Sequence, residues 1–472
     1  MDTIESKQRT ESVSRRMVRW GLALRWEDLP REVQHEARRA LVDSMGCAIG
    51  GYGCDAHRIA QRVLDRLGGA AEATVIGTGA KTSVLNAAVL NGIMLRYLDY
   101  NDVYVVPVGR MVAGGHLGEV IPGALALAET RHASGAEFLT AVVAGYELSA
   151  RMLHACKETP FANRGWNTDS RGAVVMPILA GRLLGLDEER TVNAVGISAS
   201  TGMILGILDT DEEANTLAKN FRFPSATHRA ILSTYLAEEG FTGPERVLEG
   251  QRGFVEAVFR GDYQLEKLTA PDVPFHLLAN RYKPIAAEST AHGHLSATLH
   301  LVRTHDLKPS DIEAVTVRAG TRGIAHTGDA AKRHPMDKET ADHSSWYLTA
   351  VAIMDREVSP RQYSRERYTD PAVESLMSRI TLEVAPEFDK LPMAGETVIR
   401  TRSGATLTHR VLHPKGTRDN PMTDDEISAK FRDMARVHMS EARVTQLLEH
   451  LWTFDRQDDV AALAPLLAFD RT

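Results

Sequence analysis

Apolar residues along 13–262 recur mostly at spacings of three and four, the period of helices that bury one face. Residues 30–51, PREVQHEARRALVDSMGCAIGG, are representative. Pro30 suits a helix start, apolar positions follow at threes and fours, and Gly50-Gly51 ends the run. Segments 87–96, 121–131, 135–153, 173–184, 191–205 and 226–240 predict further helices. Many of these are apolar around much of their circumference, which implies burial inside a many-helix domain or at a subunit interface. The pattern changes near residue 270. IEAVTVRA (312–319) alternates and is rich in β-branched residues, predicting a half-buried strand, and ITLEV (380–384) predicts a second. Segments 396–401 and 407–411, around a turn at Gly404, predict a hairpin, and 343–355 reads as a helix. After Pro414 and Gly416 the helical period returns over 423–437, 440–453 and 460–467, with Thr423 and Glu426 at capping-box spacing. The expected fold is mainly α with an α+β second domain. A helical domain spans 13–269 and an α+β domain 270–412, and C-terminal helices over 413–472 return to the helical domain. Residues 1–12 predict a disordered polar lead.

Composition narrows the function. The chain has 472 residues, 43% hydrophobic and 25% charged, which excludes disordered and fibrous classes. Its net charge is −7, from 55 basic against 62 acidic residues. That argues against nucleic acid and anionic membranes, which need a basic face, but leaves small anions open. Cys47, Cys54 and Cys156 form no CxxC pair, so neither a disulfide framework nor a cysteine-based metal site is predicted. No run approaches the roughly 20 apolar residues of a membrane span, and MDTIESKQRTESVSRR lacks a signal peptide's apolar segment. A soluble cytoplasmic protein is expected. Gly77–Thr82, GTGAKT, lacks the glycine a phosphate loop needs before its lysine and reads as a surface turn. His292-Gly-His294 has no partner at metal-ligand spacing, so no metal is predicted.

The most informative stretch is 97–129, YLDYNDVYVVPVGRMVAGGHLGEVIPGALALAE. Asp99 and Asp102 close an apolar helix, and a glycine-bearing loop then carries His116 to the mouth of the next helix. Loops between buried helices often mount chemistry. A carboxylate beside apolar walls can have a raised pKa, and histidine titrates near neutrality. The same residues also fit a helix-capping aspartate beside a surface histidine.

These residues carry a resemblance as well. LRYLDYND, the glycine-rich histidine loop and a helix ending ALAE resemble the signature of the MmgE/PrpD family. That family includes 2-methylcitrate dehydratases, cis-aconitate decarboxylases and iminodisuccinate epimerases. LPREVQHEARRALVDSMGCAIGG, SGAEFLTAVVAGYELSAR, FTGPERVLEGQRG, ADHSSWYLTA and PKGTRDNPMTDDEISAKF resemble other family stretches in the same order, so the likeness covers nearly the whole chain. Asp99, Asn101 and Asp102 match the family's aspartate motif. His116 takes the place of the histidine in its HPS loop, here GGHLGEV without Pro-Ser. Asn167 stands where decarboxylase-like members carry a histidine. Lys219 matches a substrate-pocket lysine, with Arg222 as a neighbouring cation. Lys283 and His292 match the ends of a K-x-x-P…H motif in which Ala286 replaces the proline and Glu288 a Cys or His. Tyr347 matches the tyrosine of the ADHSSWYLTA stretch.

The resemblance implies a cofactor-independent hydro-lyase acting on a small di- or tricarboxylate. Asp99 and His116 would transfer protons, while Lys219 and Lys283 would hold carboxylates and stabilise an enediolate. Asn101, Asp102, Asn167, Arg222, Glu288, His292 and Tyr347 would form the substrate pocket. It also implies a homodimer, with no metal, organic cofactor, nucleic acid or membrane partner. Dehydration is expected because LDYND is closer to the dehydratase-type LDFND than to the decarboxylase-type DFDD, and because Asn167 departs from the decarboxylase pattern. Decarboxylation, epimerisation and non-catalytic carboxylate binding are the alternatives.

Overall fold

The computed structural model describes residues 11–210, 215–271 and 274–470. Residues 1–10 of the predicted polar lead lie outside the described residues, and Ser12 caps the first helix, Val13–Ala23, by accepting from Arg15 N–H. Helices Arg31–Gly50, Val84–Tyr97, Val120–Thr130, Gly135–His154, Gly172–Leu184, Glu188–Thr201 and Arg222–Glu238 share one apolar core. Local chemistry sets their starts. Ser83 caps Val84–Tyr97, and Ser134 with Glu137 forms a full capping box on Gly135–His154. Val120–Thr130 and Gly172–Leu184 are buried on nearly every side, as their all-round apolar sequences require.

The C-terminal helices Asp424–Ala435 and Glu441–Trp452 belong to this same core. Asp424–Ala435 starts at the Thr423/Glu426 capping box and lies along Arg31–Gly50. Gly46 and Gly50 permit the close approach: a Cβ at Gly46 would come within 2.8 Å of Met434 Cε.

A smaller α+β domain stands between. Its sheet has Ile312–Ala319 at the centre, parallel to Ile380–Val384 on one side and antiparallel to Gly395–Thr401 on the other, with Thr406–Val411 completing the hairpin. Helices His292–Thr304 and Ser345–Asp355 pack in a second apolar core. The molecule is thus a large helical domain joined to a smaller α+β domain.

Three local departures from the sequence pattern have physical reasons. The helix expected at 191–205 is Glu188–Thr201; Asp187 caps it earlier, and Asn167 N–H, donating to the Ile204 carbonyl at 2.8 Å, draws the chain away after Gly202. The helix expected from 343 begins at Ser345, because Ser344 takes the cap position. This leaves Asp342 and His343 in a turn. The expected loop before His116 is a β-hairpin, Tyr104–Val108 with Met111–Gly115, turning at Gly109 (φ 55°).

One buried acid makes stability depend on pH. Glu147, inside Gly135–His154, accepts from Leu277 N–H at 2.9 Å, and burial raises its carboxyl from 4.5 to about 7. The folded state therefore holds a proton that the unfolded state releases, so stability falls as pH rises from about 4.5 through about 7. Glu147→Gln should remove this loss. In denaturant melts at pH 5 and pH 8, the wild type should lose up to about 3 kcal/mol more than the variant between the two conditions. Equal losses would show that Glu147 ionises freely when folded.

Candidate functional site

The two domains meet at a cleft of about 760 Å³. Helix Val84–Tyr97 delivers Arg96 and Asp99 to its floor. Asp99 sits at the helix C-terminus with φ 48°, in the left-handed region that aspartate tolerates better than most residues. That turn points its carboxylate back at a ring of cations. Arg96 pairs with Oδ1, while Lys283 lies 3.4 Å from Oδ2 and donates to the Asp99 carbonyl at 2.9 Å. His116 Nε2 and His343 Nε2 each stand 3.9 Å from the carboxylate. Burial disfavours the charge, but Lys219, Lys283, Arg96 and His343 outweigh it and hold Asp99 well below the usual carboxylate range. Asp99 is an ionised hub at neutral pH, which suits it to orienting cations more than to exchanging protons.

His116 is set by the segment behind it. Its Nδ1–H donates to the Asp102 carbonyl at 2.6 Å, which leaves the Nε2 lone pair on the cleft side. Burial, with Arg96 and Lys283 nearby, lowers its pKa well below 6.5. The imidazole is therefore a neutral base. Asp102 pins this loop. Its two carboxylate oxygens each accept from Gly118 N–H at 3.1 Å, and Oδ2 accepts from Tyr146 at 2.9 Å. Burial and Asp43 push Asp102 up to about 6.

Facing this floor is a relay of three residues from two segments. Asp342 Oδ1 accepts from His343 Nδ1–H, and His343 Nε2 accepts from Lys219 Nζ at 3.0 Å. Burial lowers Lys219, and Asp99 and Asp342 partly restore it, so its proton is more readily given up than that of a free lysine. On the neighbouring wall Arg222 joins Asp169 (3.1 Å) and Asp209 (2.6 Å). Glu288 caps the turn before helix His292–Thr304 by accepting from Thr290 N–H at 2.6 Å. Burial opposes its charge, but His326, His343, Thr290 and Lys283 lower its pKa to about 2.

Of the residues singled out in the sequence, Asp99, His116, Asn167, Arg222, Lys283 and Glu288 line the cleft. Lys219 reaches it through His343. Asn101, Asp102, His292 and Tyr347 do not line it. Asn101 is fully buried and Asp102 supports the histidine loop. His292 Nε2 lies 3.3 Å from the Ala287 carbonyl, and the Tyr347 hydroxyl donates to the Gln362 carbonyl inside the α+β core. Sequence reading missed Arg96, Asp169, Asp209, Asp342 and His343. Three of these had a signal: Arg96 lies three positions before Asp99, and Asp342 and His343 fall inside the ADHSSWYLTA stretch.

Among the described residues, two groups have ligand atoms close enough for a metal ion, Asp209 with His326 and His343, and Asp99 with Asp342 and His343. Their donors are committed elsewhere. Arg222 holds Asp209, Arg96 and Lys283 hold Asp99, and His343 uses both nitrogens within its relay. A divalent cation would have to displace these cations, so the residues fit a charge-balanced acid/base network better than a metal centre.

Comparison with known proteins agrees with this architecture. The MmgE/PrpD N-terminal domain matches residues 15–266, and the MmgE/PrpD C-terminal domain matches 285–453. A cis-aconitate decarboxylase-like protein of Aspergillus oryzae is 25% identical over 480 residues, 97% of each chain. A cis-aconitate decarboxylase of Aspergillus terreus is 25% identical over 476 residues, 96% of each chain. A 2-methylcitrate dehydratase of Cupriavidus necator is 26% identical over 368 residues, 73% of this chain and 72% of its own. With both of its domains matched in order across most of its length, the chain belongs to the MmgE/PrpD family.

Proposed function

We propose that this chain is a lyase acting on a small carboxylate, and that it removes water, as a hydro-lyase does, through a proton taken from the carbon α to a carboxylate. The observation that carries the reading is the state of His116: a neutral imidazole with Nδ1–H committed to a carbonyl and Nε2 open to the cleft. A positioned base of this kind typically contributes about 10²–10⁴-fold. His116 Nε2 takes the α-proton, and Lys283 and Arg96 face the charge that develops on the enediolate. The electron pair left by the proton forms the double bond, and the departing hydroxide leaves as water by taking the proton that Lys219 has given to His343 Nε2, which leaves Lys219 neutral. Asp99 stays ionised and holds the cations in place. These steps use only groups of the chain.

Decarboxylation is the second reading. It is favoured by the relatives of that name in the two Aspergillus species, which align over 96–97% of this chain. The two reactions part at the first step, since dehydration and epimerisation begin with C–H abstraction and decarboxylation with C–C cleavage. NMR of 2-methylcitrate, citrate, cis-aconitate and iminodisuccinate in D₂O separates them. Dehydration predicts loss of water from a hydroxy acid, with solvent deuterium entering at the abstracted position in the reverse direction. Release of CO₂ from cis-aconitate, with every hydroxy acid intact, would exchange the two readings.

The reading includes a homodimer. Leu232 and Leu236 on helix Arg222–Glu238, and Phe241 just after it, are 43%, 37% and 58% exposed, an apolar strip that a second copy would cover. Light scattering at micromolar concentration should give twice the chain mass; the mass of one chain would exclude it.

A further inference from the structure

Among the described residues, most cations of the cleft are already paired. Arg96 and Lys283 hold Asp99, and Arg222 holds Asp169 and Asp209. A ligand carrying three negative charges would meet little net positive field from these groups. Arg322 is the exception. It lines the cleft from helix Thr321–Thr327, is exposed, and makes no ion pair or hydrogen bond among the described residues. One free guanidinium fits one carboxylate, bidentately.

The hairpin wall carries a second observation. Along Tyr104–Val108 and Met111–Gly115, one face is buried in the helical core through Tyr104, Val106, Val108 and Ala113. The other face turns Val105 and Val112 to the cleft. A strand face beside water and charge is ordinarily polar, so valines at both positions call for an apolar partner. Trp166, half-buried, lines the same cleft, as do Leu205 and Ile207, which are 57% and 65% exposed. Leu205 pairs with Trp166 through a backbone bridge, so the apolar residues are held together. The cleft's volume, about 760 Å³, lies in the range that takes drug-sized ligands, roughly 300–1,000 Å³.

We propose that the substrate is an amphipathic carboxylate, with one or two carboxylates, one of them on Arg322, and a hydrophobic substituent lying against Val105, Val112, Trp166, Leu205 and Ile207. This rests on the carboxylate-lyase reading above and names its substrate class. Arg322 and the apolar wall select the substrate, while the His116 and Lys219 groups act on it.

Calorimetric titration of the full chain with unreactive acids tests this: succinate, its 2-methyl, 2-butyl and 2-hexyl derivatives, and propane-1,2,3-tricarboxylate. Each added methylene should tighten Kd roughly two- to fourfold over the first carbons. 2-Butylsuccinate should bind at least tenfold more tightly than the tricarboxylate. Arg322→Gln should weaken the whole series about tenfold, with Arg322→Lys intermediate, and Ile207→Asp should flatten the dependence on chain length. Both residues are exposed, so neither substitution empties a core. A flat chain-length series, or a tricarboxylate that binds tightest, would overturn the amphipathic substrate and leave the lyase reading standing. A flat series together with a dimer that Ile207→Asp dissociates would assign the apolar mouth to a second copy, again overturning it. If none of these acids binds, both readings fall.

Discussion

Replacing His116 with glutamine should lower kcat by about 10²–10⁴-fold and leave KM within a few-fold. Glutamine can still donate to the Asp102 carbonyl, so the loop keeps its shape, but it cannot take up a proton. The pH profile gives an independent check. Burial, Arg96 and Lys283 hold His116 well below 6.5, so the free base persists as pH falls through that value. The acid limb of kcat/KM should therefore lie below pH 6.5, and activity should be lost only as pH falls through the histidine's depressed pKa. Lys283→Ala should differ, raising KM as well as lowering kcat, because Lys283 fixes Asp99 and faces the cleft. A His116→Gln enzyme with near-normal kcat would move the base elsewhere, and the His343 relay would be the next candidate.

Lys430→Met should cost about 3–5 kcal/mol of stability, the usual penalty for stranding a buried charge. Lys430 lies on helix Asp424–Ala435, fully inside the protein. Its Nζ donates to Asp43 Oδ1 at 2.6 Å and to the Tyr100 carbonyl at 2.7 Å, and sits 4.0 Å from the centre of the Tyr100 ring. Burial opposes the lysine's charge, but Asp43 more than restores it. Without Lys430, Asp43 keeps a buried carboxyl with no cation. Adding Asp43→Leu to the variant should recover much of the loss, because removing both charges is far cheaper than removing one. Urea melts of the single and double variants make the comparison. Because Tyr100 follows Asp99 directly, both variants should also lose turnover. A double variant with full stability and wild-type kcat would show that the clamp on Tyr100 has no bearing on the site.

The helical body was legible because burial writes a 3.6-residue period into the chain, and capping residues such as Ser134, Glu137 and Thr423 mark its starts. The strands of the α+β domain were legible for the same reason at period two. The hairpin at 104–115 was not. YVVPVGRMVAGG is apolar on both faces because one meets the core and the other the cleft, so no alternation is left to read. The site was legible only in part. Asp99, His116 and Lys283 could be picked out on the family's motifs, and they do converge. Asp169 and Asp209 sit in segments without any local signal, and their meaning arises only when distant turns are packed together. Asp102 and Tyr347 stand on equally distinct motifs, yet they face the interior and hold the scaffold.

The bond between Lys430 and Asp43 spans 387 positions of the chain. Because a polypeptide is made from its N-terminus, helix Arg31–Gly50 leaves the ribosome long before its partner Asp424–Ala435. Throughout the synthesis of the α+β domain, the groove at Gly46 and Gly50 stands open, waiting for Phe431 and Met434. Any message truncated before the codon for Asp424 yields a protein with an uncovered apolar groove and without the Lys430 clamp on Tyr100. Copies that stop short of this helix therefore reach quality control in the cell with apolar surface exposed, and the Lys430–Asp43 pair forms only once the segment through Asp424–Ala435 has been translated.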